Sequence, residues 1–265
     1  MDILNWKEML CPYEQAVAEL KLKFEYMKSE YKKLGLYCPI ESISGRVKEP
    51  SSILGKAKKK GIPLDRIEED IEDIAGVRII CQFSEDIQKA ISLIRRHDGY
   101  DFTIVEERDY ITNTKPSGYR SYHIIIKYPV SSVMGYKEVL AEIQIRTMAM
   151  NFWAVTEHTL NYKYKGHMPE EIKQRLKNCA EAAFNLDNEM STIRNEIMYA
   201  QRVNKRMDNL TSNIIDNIQN MYFNLKLSEM DKINTQFVEL WNKGDIDELK
   251  KFSDMLDKMA ESYRG

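Results

Sequence analysis

The chain has four cysteines, Cys11, Cys38, Cys81 and Cys179, and no two of them form a Cys-x-x-Cys pair. That spacing argues against a zinc knuckle or a disulfide framework and leaves reduced, structural thiols as the expectation. No apolar run reaches the roughly 18 residues needed to cross a bilayer, so no membrane partner is expected. The N-terminus, Met-Asp-Ile-Leu-Asn-Trp-Lys-Glu, lacks the basic-then-apolar order of a secretory leader, and a cytoplasmic setting follows as an expectation. Charge of one sign is not in excess either, the formal net charge being −2. Nothing in that balance calls for DNA or an anionic surface, so an anion site has to be a local cluster of cations. Neither Gly-x-x-x-x-Gly-Lys-Ser/Thr nor Gly-x-Gly-x-x-Gly occurs, so a nucleotide would be held by side chains and not by a glycine-rich loop. Internal repeats and low-complexity segments are also missing.

What is present is enough apolar residue, 43% against 30% charged, for a globular chain with an ample core. Trp6, Met9, Leu10, Tyr13, Val17, Leu20, Phe24 and Met27 recur at steps of three and four, predicting an amphipathic N-terminal helix. Pro39 and Gly45 bracket an expected loop. A short helix is expected from an N-cap at Ser51 or Ser52 to Lys60, ended by Gly61-Ile62-Pro63. Strands are predicted at Val77–Phe83, Phe102–Glu107, Tyr122–Tyr128 and Val139–Ile145, with a helix over Ile87–Arg96. This order suggests an α+β fold, with a mixed, largely antiparallel central sheet, flanking helices and a long C-terminal helical region.

Beyond Pro169, a seam from Ile172 and Leu176 through Leu186, Met190, Ile193 and Ile197 to Ile214 keeps heptad spacing. A helix of that length needs a partner to bury the seam, either the N-terminal helix or a second subunit. Ile233, Phe237, Leu240 and Trp241 mark another helix, closed by Gly244, and Asp245 can cap the next. Residues 1–210 are therefore expected to form one domain and 211–265 a helical extension for packing or partner docking.

Four polar segments carry the chemistry. Arg46 and Lys48 alternate in an extended stretch and so share a face, and Lys56 lies one helical turn beyond Ser52. Asp73, in Asp-Ile-Ala-Gly-Val-Arg, sits at the mouth of a buried strand, where a carboxylate suits Mg²⁺. An ion pair with Arg78 is the simpler use of it. Lys115-Pro-Ser-Gly-Tyr-Arg-Ser-Tyr-His123 sets cations and aromatic rings around a tight turn, with Arg108 on the preceding strand. Rings can stack a nucleobase while Lys, Arg and protonated His grip phosphates. Glu142, Gln144 and Arg146 project to one side of a strand, as the floor of a site would, followed by Asn151, Trp153, Glu157 and His158. Trp153 is expected in the core. Glu157 and His158 are either a buried hydrogen-bonded pair or catalytic.

Gly45-Arg-Val-Lys48, Asp73-Ile-Ala-Gly-Val-Arg78, Ser117-Gly-Tyr-Arg-Ser-Tyr-His123, Glu142-Ile-Gln-Ile-Arg-Thr147 and Met150-Asn-Phe-Trp-Ala154, in this order, resemble the RelA/SpoT-type (p)ppGpp synthetases. The likeness is to the small, stand-alone alarmone synthetases of the RelQ type. It implies a nucleotidyltransferase-like synthetase fold and a Mg²⁺-dependent GTP diphosphokinase of the stringent response. ATP would give its β,γ-pyrophosphate to the 3′-hydroxyl of GTP or GDP, forming pppGpp or ppGpp and AMP. Carried over by residue, Arg46 and Arg78 would sandwich the adenine, and Lys48, Ser52 and Lys56 would hold the ATP phosphates. Asp73 and Glu142 would bind Mg²⁺, with Glu142 drawing the proton from the 3′-hydroxyl. Tyr119 would stack the guanine, Arg108, Lys115 and His123 would contact the acceptor's phosphates, and Gln144 and Asn151 would lie nearby. A homotetramer is implied, with single-stranded RNA as a further partner for a basic cleft. No hydrolytic His-Asp metal site is expected. Two alternatives keep some of these features: a toxin-type pyrophosphokinase acting on adenine nucleotides or the tRNA 3′ end, and a non-enzymatic RNA-binding regulator. Intact Asp73, Glu142 and Tyr119 favour catalysis.

Two departures bear on regulation. In RelQ-type relatives a central cleft binds pppGpp as an activator, using a basic residue near Glu25 and an aromatic near Ser42. Here an acid and a small hydroxyl stand there, weakening an anion site even with Lys21 retained. Ser117, where the broader family usually has Asn, suits the same turn. Activation by pppGpp is therefore expected to be reduced or absent, and several-fold stimulation of initial rates by added pppGpp would contradict the expectation.

Overall fold

A computed structural model of the protein describes residues 5–133, 135–163, 168–221 and 227–262. The chain forms two compact units, Met1–Ser191 and Thr192–Gly265. In chain order the first holds α1 (Trp6–Lys33), β1 (Ser42–Val47), α2 (Pro50–Lys60), the short α3 (Ile67–Asp70), β2 (Ala75–Cys81), α4 (Ser84–Arg95), β3 (Thr103–Asp109), β4 (Tyr122–Ser132), β5 (Gly135–Thr147) and α5 (Met148–Lys163). The long α6 (Glu170–Met221) starts in this unit, and α7 (Leu227–Lys243) and α8 (Ile246–Ser262) belong to the second.

The five strands make one sheet in the order β1-β2-β5-β4-β3. β2 and β5 run parallel and the other three pairings are antiparallel, which bears out the mixed, largely antiparallel sheet. α1 buries Tyr13, Leu20 and Phe24 in the same core as Ile79, Ile124 and Ile143 from the sheet. Near-continuous apolar runs on β2 and β4 fit strands covered on both faces.

β1 was expected as loop. Ser42-Ile-Ser-Gly-Arg-Val has too few apolar residues to look like a strand, and its pairing to β2 from Ser42↔Ile80 to Val47↔Ala75 is a tertiary effect. Gly45 is required there by packing, because a Cβ would lie 2.6 Å from Val17 Cγ1 on α1. The start of α2 also differs from expectation. Its N-cap is Glu49, with Pro50 in the first turn, where the missing N–H of proline leaves no helical bond unmade. Its end is as expected, at Gly61 in the left-handed region with φ 68°.

The heptad seam does lie on one helix, and much of its first half is exposed in the single chain. In the first unit α6 turns Ala180, Asp187 and Ser191 inward, whereas Leu186 is 52% and Met190 47% exposed. The second unit has a core of its own, where α6 gives Ile214 and Met221, α7 gives Ile233, and α8 gives Leu249, Phe252 and Leu256. The lower end of the seam is thus covered by α7 and α8. Asp245 caps α8 as expected, its Oδ1 accepting the N–H groups of Asp247 at 2.9 Å and Glu248 at 3.1 Å.

Asp187 ties α6 to the end of the sheet. Its Oδ2 accepts the Thr147 hydroxyl at 2.6 Å, and Thr147 Oγ1 in turn accepts the Met150 N–H at 3.1 Å at the start of α5. Burial pushes the Asp187 carboxyl up to about 6, against an ordinary 3.8, with the Thr147 hydroxyl opposing part of the rise. The folded state therefore holds this proton more tightly than the unfolded chain. Stability from this group is lost as pH rises from about 4 to about 6, and above that the fold carries a penalised charge. Asp187→Asn, which keeps an acceptor oxygen, should gain roughly 1–3 kcal/mol in urea unfolding at pH 7.5. Near pH 4 the gain should vanish, and an equal effect at both pH values would refute this account.

Candidate active site

Strand register gathers the polar segments on one face of the sheet. A row of residues crosses all five strands, Ser44, Arg78, Gln144, His123 and Arg108, each opposite the next. The adjacent row sets Arg46 opposite Gly76 and Gly76 opposite Glu142. With period-two alternation, one register decides both rows. Residues some hundred positions apart thereby line a common pocket that includes Arg46, Asp73, Arg78, Glu142 and Gln144.

In the half built by β1, α2 and β2, Asp73 is the hub. Lys48 Nζ lies 2.5 Å from its Oδ2 and Lys56 Nζ 2.8 Å from its Oδ1. Burial would raise this carboxyl, but the two ammonium groups outweigh it and hold Asp73 below the ordinary range. The ion pair considered from the sequence, Asp73 with Arg78, is thus replaced by a lysine fork. Arg78 is instead half-buried, with its Nε unpartnered. Burial and the nearby Arg146 and Arg46 cations weaken its hold on its proton. Arg46 and Ser52 are exposed.

In the other half Glu142 is the hub. It is 8% exposed, and its Oε1 pairs with His123 Nδ1 at 2.7 Å while its Oε2 accepts the Gln144 amide at 2.6 Å. Burial pushes the Glu142 carboxyl up, and the imidazole and amide more than offset this, leaving it below the ordinary range. His123 Nε2 meets the Tyr119 hydroxyl at 2.8 Å. Arg146 Nη2 donates to that hydroxyl at 2.5 Å and to Gln144 Oε1 at 2.8 Å, which closes a ring of hydrogen bonds. With Arg146 donating, the Tyr119 hydroxyl can give its own proton to His123 Nε2, leaving the Nδ1 proton for Glu142.

Lys115 lies over two rings, 4.1 Å from the centroid of Tyr110 and 4.8 Å from that of Tyr119. Its proton is held less tightly than usual, first because of burial and then because of neighbouring cations. Arg108 is forked on Glu72 at 2.8 and 2.7 Å and also bonds Glu106. Asn151, in the first turn of α5, has a buried Oδ1 with no partner.

Register and pairing thus unite Arg46, Lys48, Lys56, Asp73, Arg78, Arg108, Lys115, Tyr119, His123, Glu142 and Gln144. Ser52 and Asn151 are joined to them by no direct side-chain bond described for the molecule. Trp153 is core, as expected, 6% exposed with Nε1 donating to Leu176 O at 2.8 Å. Glu157 and His158 are not a buried pair, since His158 is exposed and Glu157 bonds Asn161. The chain's His-Asp dipeptide, His97-Asp98, is a turn. His97 Nδ1 pairs with Asp101 at 2.5 Å, and Asp98 Oδ1 accepts the Ile104 N–H at 2.8 Å.

Arg146, 4% exposed, was placed on the site floor by its alternation with Glu142 and Gln144, though no role was given to it. Two participants were not singled out from the sequence. Tyr110 and Glu72 gave no signal, because each enters through a partner fixed by the fold. A large cavity, about 920 Å³, lies elsewhere along α1, lined by Leu22, Tyr26, Met27, Tyr31, Leu34 and Leu93. Its apolar walls do not suit a charged ligand.

Among the described residues no cluster of three or more His, Cys, Asp or Glu groups could hold a metal ion by itself. A pair of carboxylates on one pocket suits Mg²⁺, which takes few protein ligands and completes its shell with water and substrate phosphates.

Comparison with known proteins shows the family. Residues 45–167 match the family model described as a region found in RelA / SpoT proteins. The chain is 53% identical over 203 residues to GTP pyrophosphokinase YjbM of Bacillus subtilis, covering 76% of this chain and 94% of that one. GTP pyrophosphokinase YwaC of the same organism is 42% identical over 195 residues, with 73% and 92% covered. Among solved structures, small alarmone synthetase 1 of Bacillus subtilis bound to its product pppGpp superposes with a TM-score of 0.69. That match has 53% identity and covers 72% of this chain and 97% of that one. A GTP pyrophosphokinase family protein of Streptococcus pneumoniae gives a TM-score of 0.70 at 48% identity, covering 76% and 98%.

Proposed function

Since the chain belongs to the RelA/SpoT family of GTP pyrophosphokinases, we propose that it transfers the β,γ-pyrophosphate of ATP to the 3′-hydroxyl of GTP or GDP. The 3′-oxygen attacks the β-phosphorus, the bond from that phosphorus to the α,β-bridging oxygen breaks, and AMP leaves. Glu142 carries the proposal, because it shares a pocket with Asp73, Arg46 and Arg78 while bonding His123 and Gln144 of the opposite half. One carboxylate facing both sets of ligands is what transfer between two bound nucleotides needs.

Arg46 and Arg78 stack the adenine of ATP, and Lys48, Ser52 and Lys56 take its phosphates. Both lysines hold Asp73 in the absence of nucleotide. Phosphate oxygens exchange for that carboxylate and free it for the cation. Asp73 and Glu142 would hold Mg²⁺, which when bound neutralises charge on the transferred group. Tyr119 stacks the guanine once Lys115 leaves its ring for the acceptor's phosphates. Arg108 exchanges Glu72 and Glu106 for phosphate in the same way, His123 joins it, and Gln144 and Asn151 contribute hydrogen bonds.

Glu142 accepts the proton of the 3′-hydroxyl. A carboxylate held below its ordinary range is a weak base, which suffices because phosphoryl-type transfer has a loose transition state governed by positioning and charge. The use of ATP and GTP places the reaction in the cytoplasm. No described helix is long and apolar enough to cross a membrane. A homotetramer is supported by the apolar stripe of α1, where Leu22 is 71% and Tyr26 59% exposed beside the large cavity.

Purified protein with Mg·ATP should convert GTP or GDP to the 3′-pyrophosphorylated product and leave ATP and tRNA unmodified, as read by product chromatography across GTP, GDP, GMP, ATP and tRNA. Glu142→Gln keeps the shape and should lower turnover about a thousandfold or more with an unchanged melting midpoint. Near-normal turnover in that variant would defeat the assignment.

A further inference from the structure

The turn that presents Tyr119 is seated on α6. Gly118 has φ +87°, and a Cβ there would lie 2.6 Å from the Ala180 Cβ and 3.6 Å from the Lys177 Cα. The backbone of the turn therefore touches the helix directly. Immediately after Tyr119, Arg120 is 8% exposed and turned toward α6. Its Nη2 bonds both carboxylate oxygens of Glu181 at 3.0 Å, and its Nη1 donates to Gly118 O at 3.3 Å and Ala180 O at 3.5 Å. Its guanidinium lies 4.3 Å from the centre of the Phe184 ring.

Tyr119 is held on both sides by this arrangement. Tyr119 and Ser121, which flank Arg120 in the chain, share one partner. Both meet Arg146, Tyr119 through its hydroxyl at 2.5 Å and Ser121 through its Oγ at 3.1 Å. The Tyr119 side chain also packs on the small cluster of Trp153, Ala154 and Ala180. With Nη2 on the Glu181 carboxylate and Nη1 on the two carbonyls, the planar guanidinium has little rotational freedom, unlike a single charge contact.

We infer that Arg120 and Glu181 are positioning residues for the acceptor: through them α6 fixes the plane of the Tyr119 ring and so sets affinity for the acceptor's purine, without touching either nucleotide. This rests on the proposal that Tyr119 stacks the acceptor base. A base held by a displaced ring loses binding in the ground and transition states alike, which raises KM and leaves kcat nearly unchanged. ATP binds through the other half of the site, so its KM stays where it is.

Glu181 side-chain exposure is 48%, so truncating it leaves the fold intact. Steady-state kinetics of the full chain should show acceptor KM raised about tenfold in Glu181→Ala, within the range set by loss of one base–aromatic stack. Ala180→Val, which removes no charge and crowds Gly118, should do the same. Arg120→Lys should not keep wild-type values, because an ammonium cannot meet the Glu181 carboxylate and both carbonyls in one fixed plane. Tyr119→Ala is the reference, and the double variant Tyr119→Ala/Glu181→Ala should match it with no further rise. If Tyr119→Ala raises acceptor KM while Glu181→Ala and Ala180→Val do not, the positioning role is overturned and stacking stands. If Tyr119→Ala leaves acceptor KM unchanged, stacking fails and the inference falls with it. Additive effects in the double variant, or equal loss toward ATP, would reduce Glu181 to a structural contact.

Discussion

An ionised carboxylate under a protein surface is costly unless its oxygens are matched, and the Glu142 carboxylate is the point on which the rest of the site is built. Its two partners, His123 and Gln144, stand opposite one another in the pairing of β4 and β5, so the match depends on register. A slip by one residue would turn Glu142 into the apolar core and Ile143 into the pocket. The hydrophobic core thus enforces the polar geometry: Ile143 and Ile145 are fully buried on one face, leaving Glu142, Gln144 and Arg146 on the other. Partly satisfied polar networks are unstable, and this one is closed, since Arg146 bonds both Gln144 and Tyr119 while Tyr119 returns to His123.

The rest of the site obeys the same electrostatic logic with different parts. Asp73 is matched by Lys48 and Lys56, and Arg108, on the Glu142 side, by Glu72 and Glu106. Groups proposed to hold phosphate or a divalent cation are thus paired with groups of opposite charge. Such pairing keeps like charges from accumulating in a half-buried pocket, where Arg146 and Arg46 already weaken the hold of Arg78 on its proton. A phosphate chain with its cation replaces these contacts by others of the same kind. Binding is then an exchange of partners, and selectivity for a ligand bearing both signs of charge follows directly.

Much of this could be read along the chain, and the failures have physical causes. Alternation placed Glu142, Gln144 and Arg146 on one face, and apolar runs located β2, β4 and β5 to within a few residues. β1 escaped because its strand state comes from pairing with β2 and from the fit of Gly45 under Val17, neither of which is local. Asp73 was recognised as a site carboxylate, but its lysine partners could be assigned only once α2 and β1 were placed beside it. Tyr110 and Glu72 became visible only through Lys115 and Arg108. The candidate groups were legible, and the pairing among them was not.

The α6 helix shows what periodicity alone leaves out about packing within one chain. Its heptad seam is the strongest pattern in the C-terminal half, yet Leu186, Met190 and Ile193 are exposed, while Ala180, Asp187 and Ser191 are buried. Small and polar residues win that position for two reasons. Ala180 permits a backbone approach at Gly118 that a larger side chain would block. Asp187 and Ser191 find matched partners, Thr147 at 2.6 Å and Glu85 at 2.9 Å, on elements of the sheet domain. Hydrophobic spacing predicts which face a helix could bury, but close approach and hydrogen-bond matching decide which face it does bury. Here that choice puts the helix against the turn that carries Tyr119, so the same contacts that anchor α6 also orient the acceptor side of the pocket.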